Sequence, residues 1–168
     1  TTGDYNVFLG SGAGYATTTV QGSIAIGYNA MRVHTTGARN IAIGRQAMDD
    51  TDAGSTSLGS TDNIFMGYDA GGGTWTDVAS NHNIAIGNYS MDDALNGALN
   101  NTALGNYTLS VLTTGDSNVA LGYAAGSSLT SGYSNILIGR SAGGAGTDLY
   151  GSVIIGHYAG DAINTNNS

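Results

Sequence analysis

Residues 40–48 read NIAIGRQAM, and the chain repeats itself around them: SIAIGYNAM stands upstream at 23–31 and NIFMGYDAG downstream at 63–71. Anchored on the Gly that closes its apolar triplet, the phrase recurs nine times, at Gly10, Gly27, Gly44, Gly67, Gly87, Gly105, Gly122, Gly139 and Gly156. Successive anchors lie 17, 17, 23, 20, 18, 17, 17 and 17 residues apart, so the unit is seventeen residues and the extra residues are concentrated in the middle. We read them as two insertions, at 49–62 and 71–82, bulging from adjacent coils of one repeat domain spanning 1–168.

Each position of the unit has a physical character. Four residues before the Gly stands Asn or Ser, as Asn6, Ser23, Asn40, Asn63, Asn83, Asn101, Asn118, Asn135 and Ser152. These short polar side chains bond local backbone at turns, and stacked Asn residues bond one another from coil to coil. A triplet follows that is apolar nearly throughout, with Thr102 the clear exception. Neighbouring strand residues point to opposite faces, so such a triplet calls for cover on both sides. One face lines the coil's own interior, and the other needs cover from elsewhere. The Gly fits a bend. Three residues later the position is always small, as Ala13, Ala30, Ala47, Ala70, Ser90, Thr108, Ala125, Ala142 and Ala159, which implies close approach of another backbone. The position after that is Gly or a large residue (Met31, Met48, Met91, Leu109), a second and softer packing row.

A seventeen-residue period is too short for two-helix repeats, and dispersed Gly and β-branched residues oppose helix. The expected fold is all-β: a parallel β-solenoid, or β-roll, of about nine coils, roughly 43 Å long at the usual strand spacing. One coil alone buries too little to offset its ordering entropy, so stacking, and burial against sister chains, must supply the rest.

Composition agrees. The 168 residues include 28 Gly but no Pro, Cys, Lys or Glu; the charges are twelve Asp and four Arg, net −8. Disordered chains are rich in Pro, Glu and Lys, all missing here. An acidic surface without clustered cations makes nucleic acid and anionic membranes poor partners. No apolar run approaches a membrane span, and without Cys there is no disulfide or thiolate metal site. The opening TTGDYN matches the linkers TTGARN at 35–40 and TTGDSN at 113–118, so we expect a fragment or processed segment of a longer fibre.

The series SIAIG, NIAIG, NTALG, NVALG and SVIIG resembles the head repeats of trimeric autotransporter adhesins, and NTALGNYTLSVLTTGDSNVALGYAAG is similar to repeats of bacteriophage tail fibres. The resemblance covers essentially the whole chain. It implies a left-handed parallel β-roll packed as a homotrimer, extracellular on a virion tail fibre or a bacterial surface, in fibre building or host attachment. Adhesin heads commonly use a shorter coil, so the cross-section does not carry over.

The expected function is therefore structural and non-enzymatic: a rigid multivalent rod. One alternative is a self-polymerising extracellular filament; another is a glycan-binding or polysaccharide-degrading tailspike-type module. For ligand binding the candidates are Trp75, Asp77 and His82 with Asp49, Asp50 and Asp52, a set able to stack on a sugar or hold a cation of a surface glycan or receptor. The bland alternative is decorated loops on a rigid rod. GGAGTDLYG at 143–151 matches a calcium-roll nonapeptide once, where shared ions need consecutive copies, so no cofactor is expected. Six of the ten Tyr recur one or two residues after the anchor Gly; the Tyr read as covering corners between chains in preference to presenting rings to glycans. The Thr pairs of the linkers are too often broken by Ala, Gly and Leu for an ice-binding array. His34, His82 and His157 occupy unrelated places in their coils, and no nucleophile stands beside a His and an acid in a recognisable order. GSGAG at 10–14 lacks the Lys of a phosphate loop.

Overall fold

A computed structural model of the chain describes residues 3–51, 59–75 and 78–162. Its nine strands are the nine triplets: β1 Val7–Leu9, β2 Ile24–Ile26, β3 Ile41–Ile43, β4 Ile64–Met66, β5 Ile84–Ile86, β6 Thr102–Leu104, β7 Val119–Leu121, β8 Ile136–Ile138 and β9 Val153–Ile155. They form one parallel sheet in the order β1 to β9, each strand pairing residue for residue with the equivalent triplet of the next coil. The fold is a β-solenoid of about eight turns, with no helix among the described residues. A second wall is marked by the parallel bridges Gln21 to Ala38, Asn81 to Leu99 and Tyr133 to Tyr150.

Two rows hold the coils in register. In the first, Asn or Ser before each strand is turned inward. Asn83 Oδ1 accepts hydrogen bonds from the backbone N–H of Asn101 at 3.0 Å and from its Nδ2 at 3.0 Å. Asn101 Oδ1 accepts the same pair from Asn118, and Asn101 Nδ2 also donates to the carbonyl of Gly115 at 2.7 Å. The backbone N–H to side-chain link is unbroken from Asn6 to Ser152, with Ser23 Oγ serving as acceptor in its coil. Every one of these Asn from Asn40 to Asn135 is fully buried, so the bonds form where water does not compete. The second row is the anchor Gly. From Gly10 to Gly156 it holds φ between 126° and 142°, and from Gly10 to Gly139 a Cβ would run into the backbone of the next anchor Gly.

The interior explains the Gly or Met alternation as a volume constraint. Only the middle residue of each triplet points inward. Where it is small (Ala25, Ala42, Ala85, Ala103), Met31, Met48, Met91 or Leu109 fills the space six residues on. Where it is large, that position is Gly: a Cβ on Gly14 would lie 2.8 Å from Phe8 and one on Gly143 2.9 Å from Leu137. Coil seven pairs Ala120 with Gly126 because Leu109 and Leu137 of the flanking coils converge there, each 2.7 Å from where a Cβ would stand. Close packing at constant volume per layer is what a column of identical cross-section requires.

The outer residues of each triplet are different. Inside one chain they are not buried on both sides: Ile86 is 41% exposed, Leu121 45%, Ile136 39% and Ile155 63%. Among the described residues nothing buries these four, while the outer residues of β2, β3, β4 and β6 are half-buried.

Candidate functional site

The described members of the ligand-binding set read from the sequence, Trp75, His82, Asp49 and Asp50, do not come together. Trp75 is fully buried, its ring edge-on to Phe65 at 5.6 Å between centroids, so no face is offered to a sugar. This corrects the placing of Trp75 on an exposed insertion. It stands eight residues after Gly67, as Leu95 stands eight after Gly87, and both fill the same interior row with Leu112 and Leu129. Much of 71–82 is likewise regular coil: Ser80 is buried, and its Oγ accepts from the N–H groups of Gly97 and Ala98.

The acids go to separate partners. Asp49 is nearly buried and accepts from Arg32 Nε at 2.9 Å. Asp50 accepts from the hydroxyl of Thr74 at 2.8 Å. His82 is exposed and sits 4.0 Å from a carboxylate oxygen of Asp62, which itself takes two hydrogen bonds from Arg39 at 2.6 and 2.7 Å. Asp52 and Asp77 lie outside the described residues. Among the described residues no three His, Asp or Glu side chains come together as metal ligands. His34, which carried no role in the sequence, is a core residue: Asn40 Nδ2 donates to its Nε2 at 3.1 Å, which sets Nδ1–H as donor to the hydroxyl of Thr51 at 2.8 Å.

Six of the ten tyrosines, with Arg45 and Arg140, form a continuous column along eight coils. Arg45 lies 5.8 Å from the ring centre of Tyr28 and 5.3 Å from that of Tyr68. Tyr68, Tyr89, Tyr107 and Tyr123 follow at 5.1, 5.1 and 5.7 Å, and Arg140 bridges Tyr123 to Tyr158 at 5.7 and 5.6 Å. The Tyr89 and Tyr107 rings are nearly parallel, 12° apart. The rings therefore spend their faces and edges on one another along the rod, which stiffens it.

Beside this column a shallow hollow is lined by Tyr89, Tyr107, Asp92, Asp93 and Ser110. Burial, then the neighbouring Asp69 and Asp93 carboxylates, push the Asp92 carboxyl up to about 6. Asp69 is raised as well, chiefly by burial. A carboxyl with a higher pKa folded than unfolded gives a folded state that binds the extra proton, so its penalty is complete above about pH 6 and disappears towards pH 4. Asp62, held low chiefly by its hydrogen bonds from Arg39, titrates below that window. The expected result is that Asp92→Asn raises the urea midpoint at pH 7, by a margin that shrinks towards pH 5, and so changes the slope of the midpoint against pH. A slope unchanged by the substitution would contradict the assignment.

The outward side of the sheet is an extended apolar surface. Two columns run its length: Val7, Ile24, Ile41, Ile64, Ile84, Thr102, Val119, Ile136 and Val153 in one, and Leu9, Ile26, Ile43, Met66, Ile86, Leu104, Leu121, Ile138 and Ile155 in the other. None of the eighteen carries a charge, in a chain of net charge −8. Their exposed area is on the order of 1,000 Å², above the largest apolar patch of an ordinary monomer and within the range of one partner's share of a stable interface. No helix among the described residues is long and apolar enough to cross a membrane. Compared with protein-family models, curated proteins and solved structures, the chain has no match.

Proposed function

We propose that this chain is a structural fibre segment: a homotrimeric rod of a phage tail fibre or a bacterial surface adhesin, extracellular, that sets distance and carries attachment sites to a host or surface. The observation that carries this reading is the uncharged apolar face running the whole length of the solenoid. A second copy is the partner that fits it best, because only another such coil stack repeats its apolar rows at the same spacing over the same length. The assignment to phage fibres and adhesins rests on the repeat spelling, and the rod-like stiffness on the Asn, Gly and Tyr rows. Many weak terminal contacts then add through avidity.

A charge on the face tests it. Ile84→Asp with Ile136→Asp leaves the interior of the single chain untouched, because both side chains point outward. Between chains it buries unpaired carboxylates, which should weaken association by about a thousandfold or more. The expected outcome is loss of the assembled mass in light scattering, while Ser131→Asp, exposed and off the face, leaves it unchanged. An assembly that survives the double substitution would refute the reading.

A further inference from the structure

A regular apolar face has a registration problem. Seventeen of its eighteen residues are Val, Ile, Leu or Met, and each coil, whatever its length, adds one residue to each column. Sliding one copy past another by a coil replaces aliphatic contacts with aliphatic contacts. The aliphatic contacts alone therefore do not distinguish one axial register from the next.

Thr102 is the one interruption. It opens β6, lies outward and half-buried, and pairs with Ile84 of the preceding coil and Val119 of the following one. Its methyl fits the column, but its hydroxyl makes no hydrogen bond among the described residues. We propose that Thr102 fixes the axial register of the assembly by meeting its own copies in the sister chains. This rests on the self-association proposed above and adds which coils stand level.

The chemistry is that of a lone polar residue in an apolar seam. With parallel chains and coils level, the Thr102 hydroxyls lie at one height. Each is donor and acceptor at once, so they satisfy one another directly or through a shared water. After a slip of one coil each hydroxyl stands at the height of Ile84 or Val119 of its neighbour and loses its partner. A buried hydroxyl without a partner costs more than a made hydrogen bond gains, which is worth roughly a tenfold or greater bias in population. Buried polar residues set register in coiled coils by the same asymmetry, at a cost in stability.

The test is inter-chain photo-crosslinking from a benzophenone amino acid at Leu121, with mixed isotopically labelled and unlabelled chains and mass-spectrometric mapping. In the parent, cross-links are expected to fall within one coil of the partner. In Thr102→Val the native mass should persist, with cross-links spread over the adjacent coils and the off-register share up about tenfold. Thr102→Ser, which keeps the hydroxyl, should stay confined. An assembled Thr102→Val still confined to one coil overturns this inference alone, as does a Thr102→Val that no longer assembles or a parent already spread over several coils. A monomeric parent overturns the proposed function and this inference together.

Discussion

Gly87→Ala is expected to abolish the folded rod at its centre, destabilising it by more than about 4 kcal/mol. Gly87 holds φ at 141°, a backbone conformation that L side chains rarely adopt, and a Cβ there would overlap the carbonyl of Gly105 and lie 2.9 Å from the N–H of Asn106. Those are backbone atoms of the next coil and have nowhere to move, because Gly105 stands in the same relation to Gly122. A solenoid transmits stability only between neighbours, so one broken interface separates coils one to five from coils six to nine. Circular dichroism with urea should show loss of the parent transition. The matched control is Gly151→Ala: φ is 59° and nothing lies within 4 Å of the added methyl, so the expected cost is only about 1 kcal/mol of left-handed backbone strain. Equal midpoints for the two variants would mean that the anchor Gly is not a steric requirement.

Asn101→Ala is expected to cost about 3 to 5 kcal/mol, because the residue joins three coils in the dry interior. Its loss leaves the N–H of Asn118 without its acceptor, takes one of the two acceptors of Asn118 Nδ2, and leaves the carbonyl of Gly115 without its side-chain donor. Unpaired groups of this kind cost about 1 to 3 kcal/mol each, and the row is cooperative. Asn101→Ser should recover part of the loss, since Ser23 Oγ already accepts from the N–H of Asn40 at 3.1 Å in its own coil. Asn101→Asp should be the worst at pH 7: it keeps the acceptor, cannot donate, and buries a charge. A ranking by urea midpoint other than Asn, Ser, Ala, Asp would contradict the hydrogen-bond account.

The strands, their parallel order and the two registering rows were legible before the structure because each is one residue type at one offset. The nine Gly anchors predict the nine strands, and the Asn positions predict a coil-to-coil polar row. The alternation of Gly with Met or Leu was visible but its cause was not. It reflects the volume of a residue six positions earlier, as in Phe65 with Gly71 and Ala85 with Met91, and so appears only when two columns are read together. Spacing alone misplaces Trp75, because the longer interval reads as a loop throughout. Counting forward from Gly67 places it in the row of Leu95, and a large aromatic is at home there because Phe65 supplies an edge contact. The Tyr column was legible as recurrence, yet its offset shifts between one and two residues after the Gly. That the rings stack on one another, with Arg45 and Arg140 bridging the ends, is a matter of side-chain direction that spacing does not encode.

The central claim is that the outward apolar columns are covered by copies of the same chain, and the native mass tests it most directly. Sedimentation equilibrium over a range of loading concentrations should give a single species at three times the 16.9 kDa of the chain. A folded species that stays at 16.9 kDa throughout, with Ile86, Leu121 and Ile136 open to solvent, would contradict it.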